Sequence, residues 1–147
     1  MEIVHASSNE FPVLMEIWEA SVRATHHFLT EENIQYFKPL ILANYMPVME
    51  MYAAKDASGT ITGFLGLHHN KVEMLFISPT HHRKGIGRKF INHAVELKGD
   101  IELDVNEQNE GAVKFYKECG FCVKGRSERD ALGKPFPLLH LKLTTDY

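Results

Sequence analysis

The sequence predicts a mixed α/β fold with α+β character, one sheet flanked by helices. Three observations predict it. Segments of period two and period 3.6 follow one another in the order β-α-α-β-β-β-α-β-α-β-β. Near the middle, the apolar run Val-Glu-Met-Leu-Phe-Ile passes through a basic, glycine-bearing loop straight into a helix. The 147 residues contain no linker, so residues 1–147 are read as one domain around one core.

Each element has a local cause. Residues 2–6 alternate as a short strand, and Ser7, Ser8 or Asn9 offers an N-cap to the next segment. Phe11, Leu14, Met15, Trp18 and Val22 recur at helical spacing, which gives a first helix to about Ala24. Thr30 caps a second, Glu31 and Glu32 favour its first turn, and Ile34, Phe37 and Ile41 supply its apolar face. Pro39 is expected to kink or shorten that helix. Residues 48–55 and 60–68 are rich in strand formers and flank Asp56-Ala57-Ser58-Gly59, a hairpin turn; residues 71–77 add a third strand. Ile86, Phe90, Ile91, Ala94 and Val95 form the stripe of a helix ending near Gly99. Residues 101–105 read as a strand and residues 110–119 as a helix stopped by Gly120. Residues 121–127 and 136–143 close the sheet around a turn at 130–135.

Composition excludes several classes. Sixteen basic against nineteen acidic residues give a net charge of −3, without the broad basic face of a nucleic-acid binder. The longest apolar stretch, residues 39–54, is broken by Asn44, Pro47 and Glu50, and the first residues lack a basic start followed by an apolar core. No membrane association or export is therefore expected. Two cysteines make no disulfide framework, which fits a reducing cytoplasm. Cys119 ends a helix, where the dipole disfavours a thiolate, so Cys119 and Cys122 are expected to be buried as small apolar residues. Zinc would need two further ligands, and no metal is expected.

Chemistry concentrates between Thr80 and Lys89. Arg83, Lys84, Arg88 and Lys89 stand there with His81 and His82 and no carboxylate. Cations at a helix N-terminus oppose its dipole at about 0.3–1 kcal/mol each, so an anion is expected beside them. Free first-turn amides, with Gly85 and Gly87 permitting close approach, describe a phosphate cradle. A dinucleotide fingerprint would need a third glycine where Phe90 stands. The GxxxxGRS string at 120–127 lacks the lysine of a P-loop.

These residues resemble the GNAT superfamily of acetyl-CoA-dependent N-acetyltransferases, whose pyrophosphate loop follows Gln/Arg-x-x-Gly-x-Gly/Ala. His82-Arg83-Lys84-Gly85-Ile86-Gly87 matches at both glycines, with His82 replacing the first residue. Asn109, Ala112, Tyr116, Gly120 and Phe121 match the family's second feature, and the element order agrees over nearly the whole chain. The segments SVRATHHFL, VNEQNE and GRSERDALGKPFPLLHL are most similar to small stand-alone bacterial members. The resemblance implies a splayed central sheet, acetyl-CoA as cosubstrate, and direct attack by a primary amine of a small molecule or peptide. It implies coenzyme contacts at Leu75, Phe76 and Ile77, at His82, Arg83, Lys84, Gly85, Ile86, Gly87, Arg88 and Lys89, and at Asn109 and Tyr116. Tyr116 would lie near the sulfur, Asn109 near the pantetheine or the strand splay, and the N–H around Leu75 at the oxyanion.

A lysine-type amine has a pKa of about 10.4 and arrives charged, so a base is required. Glu73 is the first candidate: on a strand it shares a face with Leu75 and Ile77, and desolvation there would raise its pKa. A solvated carboxylate paired with a lysine is the alternative. His26, His27, His68, His69 and His140 are rival bases. Full proton transfer from a phenol of pKa about 10 to a thiolate of about 8.5 is uphill by roughly 2 kcal/mol, so Tyr116 is expected to act by hydrogen bonding, unless it only packs on Phe115. The first two helices and the 130–140 hairpin would shape the acceptor pocket, with Thr25, His26, Phe28, His68 and His140 as substrate-binding candidates. A coenzyme-binding sensor without turnover is the competing class, and monomer and homodimer both stay open.

Overall fold

A computed structural model of the protein describes residues 1–82 and 84–144. Strand β1 (Glu2–His5) leads through a 3₁₀ turn at Ser8–Glu10 into helix α1 (Phe11–Thr25). Helix α2 (Glu31–Leu40) starts on a capping box in which Thr30 and Asn33 exchange side-chain and backbone hydrogen bonds. Pro39 does not end α2 at once; the chain widens after it into a π-helical turn at Ile41–Tyr45 and a 3₁₀ turn at Met46–Val48. The expected strand at 48–55 is thereby shortened to β2 (Glu50–Lys55). Next come β3 (Ile61–His68), β4 (Lys71–Ile77), α3 (Ile86–Lys98), β5 (Ile101–Asn106), α4 (Glu110–Glu118), β6 (Cys122–Ser127) and β7 (Leu138–Leu143).

The seven strands form one sheet in the order β1-β2-β3-β4-β5-β7-β6. All neighbours are antiparallel except β4 and β5, which α3 connects as a parallel crossover. One face carries α1 and α2 over Leu14, Trp18, Ile34, Phe64 and Met74. The other carries α3 and α4 over Leu65, Val72, Phe90, Ile91, Leu103 and Tyr116. β3 is buried on both faces from Thr62 to Leu67, as a strand covered by helices on each side must be.

Two irregularities matter for function. In the β3–β4 ladder Leu67 pairs with Val72 and Gly66 with Met74, so Glu73 is an extra, bulged residue. The bulge switches the alternation: Val72 faces the α3/α4 core, as do Leu75 and Ile77, whereas Met74 and Phe76 face α1/α2. Glu73 therefore does not belong to a simple row with Leu75 and Ile77. Beyond the bulge β4 leaves β5, and the parallel pairing is limited to Lys71 with Glu102 and Val72 with Leu103. The sheet is split from Glu73 onward.

Close packing of β3 on β4 depends on one glycine. A Cβ on Gly63 would lie 2.8 Å from Ile77 Cδ1 and 2.9 Å from the Phe76 carbonyl oxygen. The second contact is with backbone and cannot rotate away. Gly63→Ala is expected to cost about 1–3 kcal/mol by overpacking, read as a lowered midpoint in urea unfolding. An unchanged midpoint would mean that β4 shifts freely.

Candidate active site

The split opens a groove of about 1290 Å³ between β4 and β5. Its walls are β4 from Val72 to Ile77, the N-terminal end of α3, β5 from Leu103 to Asn106, the start of α4, and Ser21, Thr25 and His26 of the α1 end. Since β4 runs along the groove, Glu73 and the loop after Ile77 sit toward its opposite ends.

At the loop end, Gly85 adopts φ +77° as the N-cap of α3 and supplies no capping side chain. The first-turn amides of α3 are left to an incoming acceptor. His81, His82, Gly85, Ile86, Gly87, Arg88 and Lys89 line this end. Lys84 is exposed and does not line it, and Arg83 lies outside the described residues. Arg88 leans toward the Glu118 carbonyl, 3.5 Å from Nη2. His82, in the loop after β4, turns back on the end of that strand, with Nε2 3.0 Å from the Ile77 carbonyl oxygen, which also accepts from the Ser21 hydroxyl at 2.8 Å. A carbonyl only accepts, so His82 carries its proton on Nε2 in this contact.

A hydrogen-bond chain joins α1 to α4. The Thr25 hydroxyl donates to the Ser21 carbonyl at 2.8 Å, and therefore accepts from His26 Nδ1, also at 2.8 Å. His26 Nε2 then accepts from Asn109 Nδ2 at 3.2 Å, while Asn109 Oδ1 caps α4 by accepting from the Ala112 N–H at 3.2 Å. Each polar atom in the chain has one consistent role, with a neutral imidazole. Burial, and next the charge of His27, lower the His26 pKa to about 4. His26 is consequently a weak base whose free lone pair is already engaged.

Side chains from four strands meet beside the opposite end. Lys71 Nζ lies 2.8 Å from Asp104 Oδ2 and 3.5 Å from Glu73 Oε1. Asp104 Oδ1 is 2.5 Å from His140 Nδ1, whose Nε2 is 2.7 Å from the Ser127 hydroxyl. Burial pushes the Asp104 carboxyl upward, but hydrogen bonds from Lys71 and His140 outweigh it and hold the pKa below its usual range. Glu73 and Asp104 line the groove, whereas Lys71 and His140 stand behind them. The apolar, desolvated setting expected for Glu73 is absent: its side chain is 29% exposed and has Lys71 as partner, because the bulge turns it out of the apolar row.

Tyr116 lines the groove at 9% exposure, edge-on to Phe115 and Phe121. Burial, then the charge of Cys119, raise its pKa well above the ordinary phenol value, so the hydroxyl stays protonated. Leu75, Phe76, Ile77, Asn109, Thr25 and His26 share the same groove. Phe28 does not line it; its ring lies tilted against Phe136, centroids 5.8 Å apart, joining the α1–α2 loop to the β6–β7 loop. His68 also lies apart, its ring tilted against that of His69 with centroids 4.4 Å apart. Neither cysteine is buried as expected: Cys119, at the C-cap of α4, is half-buried, and Cys122 is exposed because it opens β6, an edge strand. Among the described residues no helix is long and apolar enough to cross a membrane.

Sequence reasoning missed Asp104, Lys71 and Ser21. The alternation of β5 carries a signal for the first: Leu103 and Val105 are buried in the α3/α4 core, which turns Asp104 to the other face.

Comparison with known proteins agrees with this geometry. Residues 11–121 match the Acetyltransferase (GNAT) family. The peptidyl-lysine N-acetyltransferase YjaB of Escherichia coli is 41% identical over 128 residues, covering 87% of this chain and 86% of that protein. The solution structure of apo YjaB from Escherichia coli superimposes with a TM-score of 0.89 at 39% identity, covering 96% and 95% of the two chains. The fold also matches a paia N-acetyltransferase from Thermoplasma acidophilum in complex with coenzyme A, at TM-score 0.77 and 21% identity over 97% and 98% of the chains. The extent of the family match and the identity to YjaB show that the chain belongs to the GNAT acetyltransferase family and is an acyltransferase.

Proposed function

We propose that this chain transfers the acetyl group of acetyl-CoA to a primary amine, with a lysine side chain of a peptide or protein as the acceptor. The carrying observation is the polarity of the groove. Uncapped helix amides with Arg88, Lys89 and two histidines line the loop end and Glu73 and Asp104 line the groove where β4 leaves β5, while Glu110, Lys114 and Glu118 of α4 line its side. An anionic coenzyme and a cationic amine fit opposite ends of such a groove. The volume of about 1290 Å³ has room for both. The lysine acceptor is supported by the peptidyl-lysine activity named for YjaB, 41% identical to this chain.

In this reading the α3 amides and nearby cations hold the diphosphate, and Asn109 steadies the pantetheine arm. Glu73, directly or through a water, takes the proton that the ammonium must lose. The amine attacks the thioester carbon in a ternary complex, and an N–H of the unpaired β4 edge around Leu75 faces the charge growing on the carbonyl oxygen. Tyr116 donates a hydrogen bond to the departing sulfur.

The test is thiol release with acetyl-CoA and a panel of amines, including lysine peptides, free lysine and a polyamine. Release with mass-detected acetyl-lysine in the peptides is expected. Calorimetric binding of coenzyme without turnover on any amine would favour a sensor module instead.

A further inference from the structure

Acetyl transfer as proposed gives His26 no part, yet its ring is where several elements of the site meet. Helices α1 and α4 pack on opposite faces of the sheet, so a contact between them has to cross it. They meet in the split between β4 and β5, where Ser21, Thr25, His26 and Asn109 all line the groove. Asn109 Oδ1 accepts from the Ala112 N–H at 3.2 Å, which turns Nδ2 toward His26 Nε2, also at 3.2 Å. The amide is planar, so holding Oδ1 and one N–H also fixes the direction of the second N–H, in a side chain that lines the groove. The imidazole is itself held: Nδ1 donates to the Thr25 hydroxyl at 2.8 Å, and the ring lies tilted against Phe28 and Phe76, with centroids 5.2 and 6.2 Å away. A protonated ring would set a donor against the Asn109 donor, and burial, which lowers the His26 pKa to about 4, keeps the ring neutral.

We propose that His26 is a positioning residue for acetyl-CoA: from the end of α1 it holds the Asn109 amide across the split, in the orientation that meets the pantetheine arm. Pantetheine carries amide groups, and an oriented N–H beside the groove is a donor for an amide carbonyl. A freely rotating Asn109 would have to be ordered each time coenzyme binds, whereas one pinned at both ends is ordered in the empty protein. A ring that donates at one nitrogen and accepts at the other is what continues the chain. The Thr25 hydroxyl has given its hydrogen to the Ser21 carbonyl, and Asn109 offers one. The inference rests on the reading of Asn109 as a pantetheine contact.

Three measurements on the full chain separate the inference from that reading. NMR of the imidazole nitrogens in the coenzyme-free wild type at pH 7 should show His26 protonated at Nδ1 and bare at Nε2. A proton on Nε2 would overturn the proposal whatever the variants do. Calorimetry with coenzyme A should give a Kd raised about fivefold in His26→Asn, whose short amide reaches only the Thr25 side. In His26→Gln, whose amide oxygen can take the place of Nε2, Kd should return close to the wild-type value. An unchanged Kd in His26→Asn, or an equal loss in both variants, would overturn the proposal. Asn109→Ser keeps an N-cap on α4 and removes the Nδ2 donor. Adding His26→Asn to it should raise Kd no further, whereas losses that multiply would give His26 a role apart from Asn109 and overturn the proposal. Wild-type affinity in Asn109→Ser, with the Nδ1 tautomer in place, would strike the pantetheine contact itself and the positioning role with it.

Discussion

Glu73→Gln is expected to lower kcat/KM at pH 7 by about 10²-fold, at the lower end of what a positioned base contributes. Glutamine keeps the size of the side chain and removes only its ability to take a proton. The lever is the charge of the acceptor: with a pKa of about 10.4, fewer than about one lysine in a thousand is free amine at pH 7. The deficit should therefore narrow as pH approaches 10, where the acceptor deprotonates in solution. Coenzyme affinity should stay within a factor of about three, because the diphosphate cradle lies toward the other end of β4. A deficit that stays constant from pH 7 to 10 would assign Glu73 a role in acceptor binding instead. The exposure of Glu73 and its contact with Lys71 are compatible with a base whose proton leaves to solvent, since each turnover of an ammonium must release one.

Tyr116→Phe is the second large effect, about 10²-fold in kcat at saturating acetyl-CoA, with turnover weakened and not abolished. Burial raises the phenol pKa, which makes proton transfer to a thiolate more uphill than the roughly 2 kcal/mol of the unperturbed pair. What remains is a hydrogen bond to a sulfur that becomes anionic as the bond to carbon breaks. Such a bond strengthens in the transition state, so it appears in kcat and not in KM. Phenylalanine preserves the edge contacts to Phe115 and Phe121, at centroid distances of 5.3 and 5.5 Å, so stability should change little. Near-wild-type turnover would reduce Tyr116 to a packing residue.

The order and kind of the elements were legible because each has a local cause. The Thr30 cap, the stripe from Ile86 to Val95 and the Gly85 loop depend on residues within one or two helical turns of each other. Strand ends were less legible: the π-helical turn after Pro39 displaced the start of β2, and β7 begins at Leu138, two residues later than the pattern suggested. The environment of Glu73 was misread, since a period of two carries no sign of a bulge. Cys122 was misread because being an edge strand is a property of the whole sheet.

The sequence alone determined a sheet flanked by helices and a glycine loop that opens a helix with cations around it. These follow from periodicity, capping and backbone freedom, which act between near neighbours along the chain. Only the tertiary structure decided that β4 parts from β5 after Val72 and that a polar row gathers beside the split. It also decided that His26 is a neutral tie to Asn109. The contacts responsible join residues 33, 36 and 83 positions apart: Lys71 with Asp104, Asp104 with His140, and His26 with Asn109. Register and crossover set such distances, and the bulge at Glu73 shows that one added residue is enough to change which side chains meet.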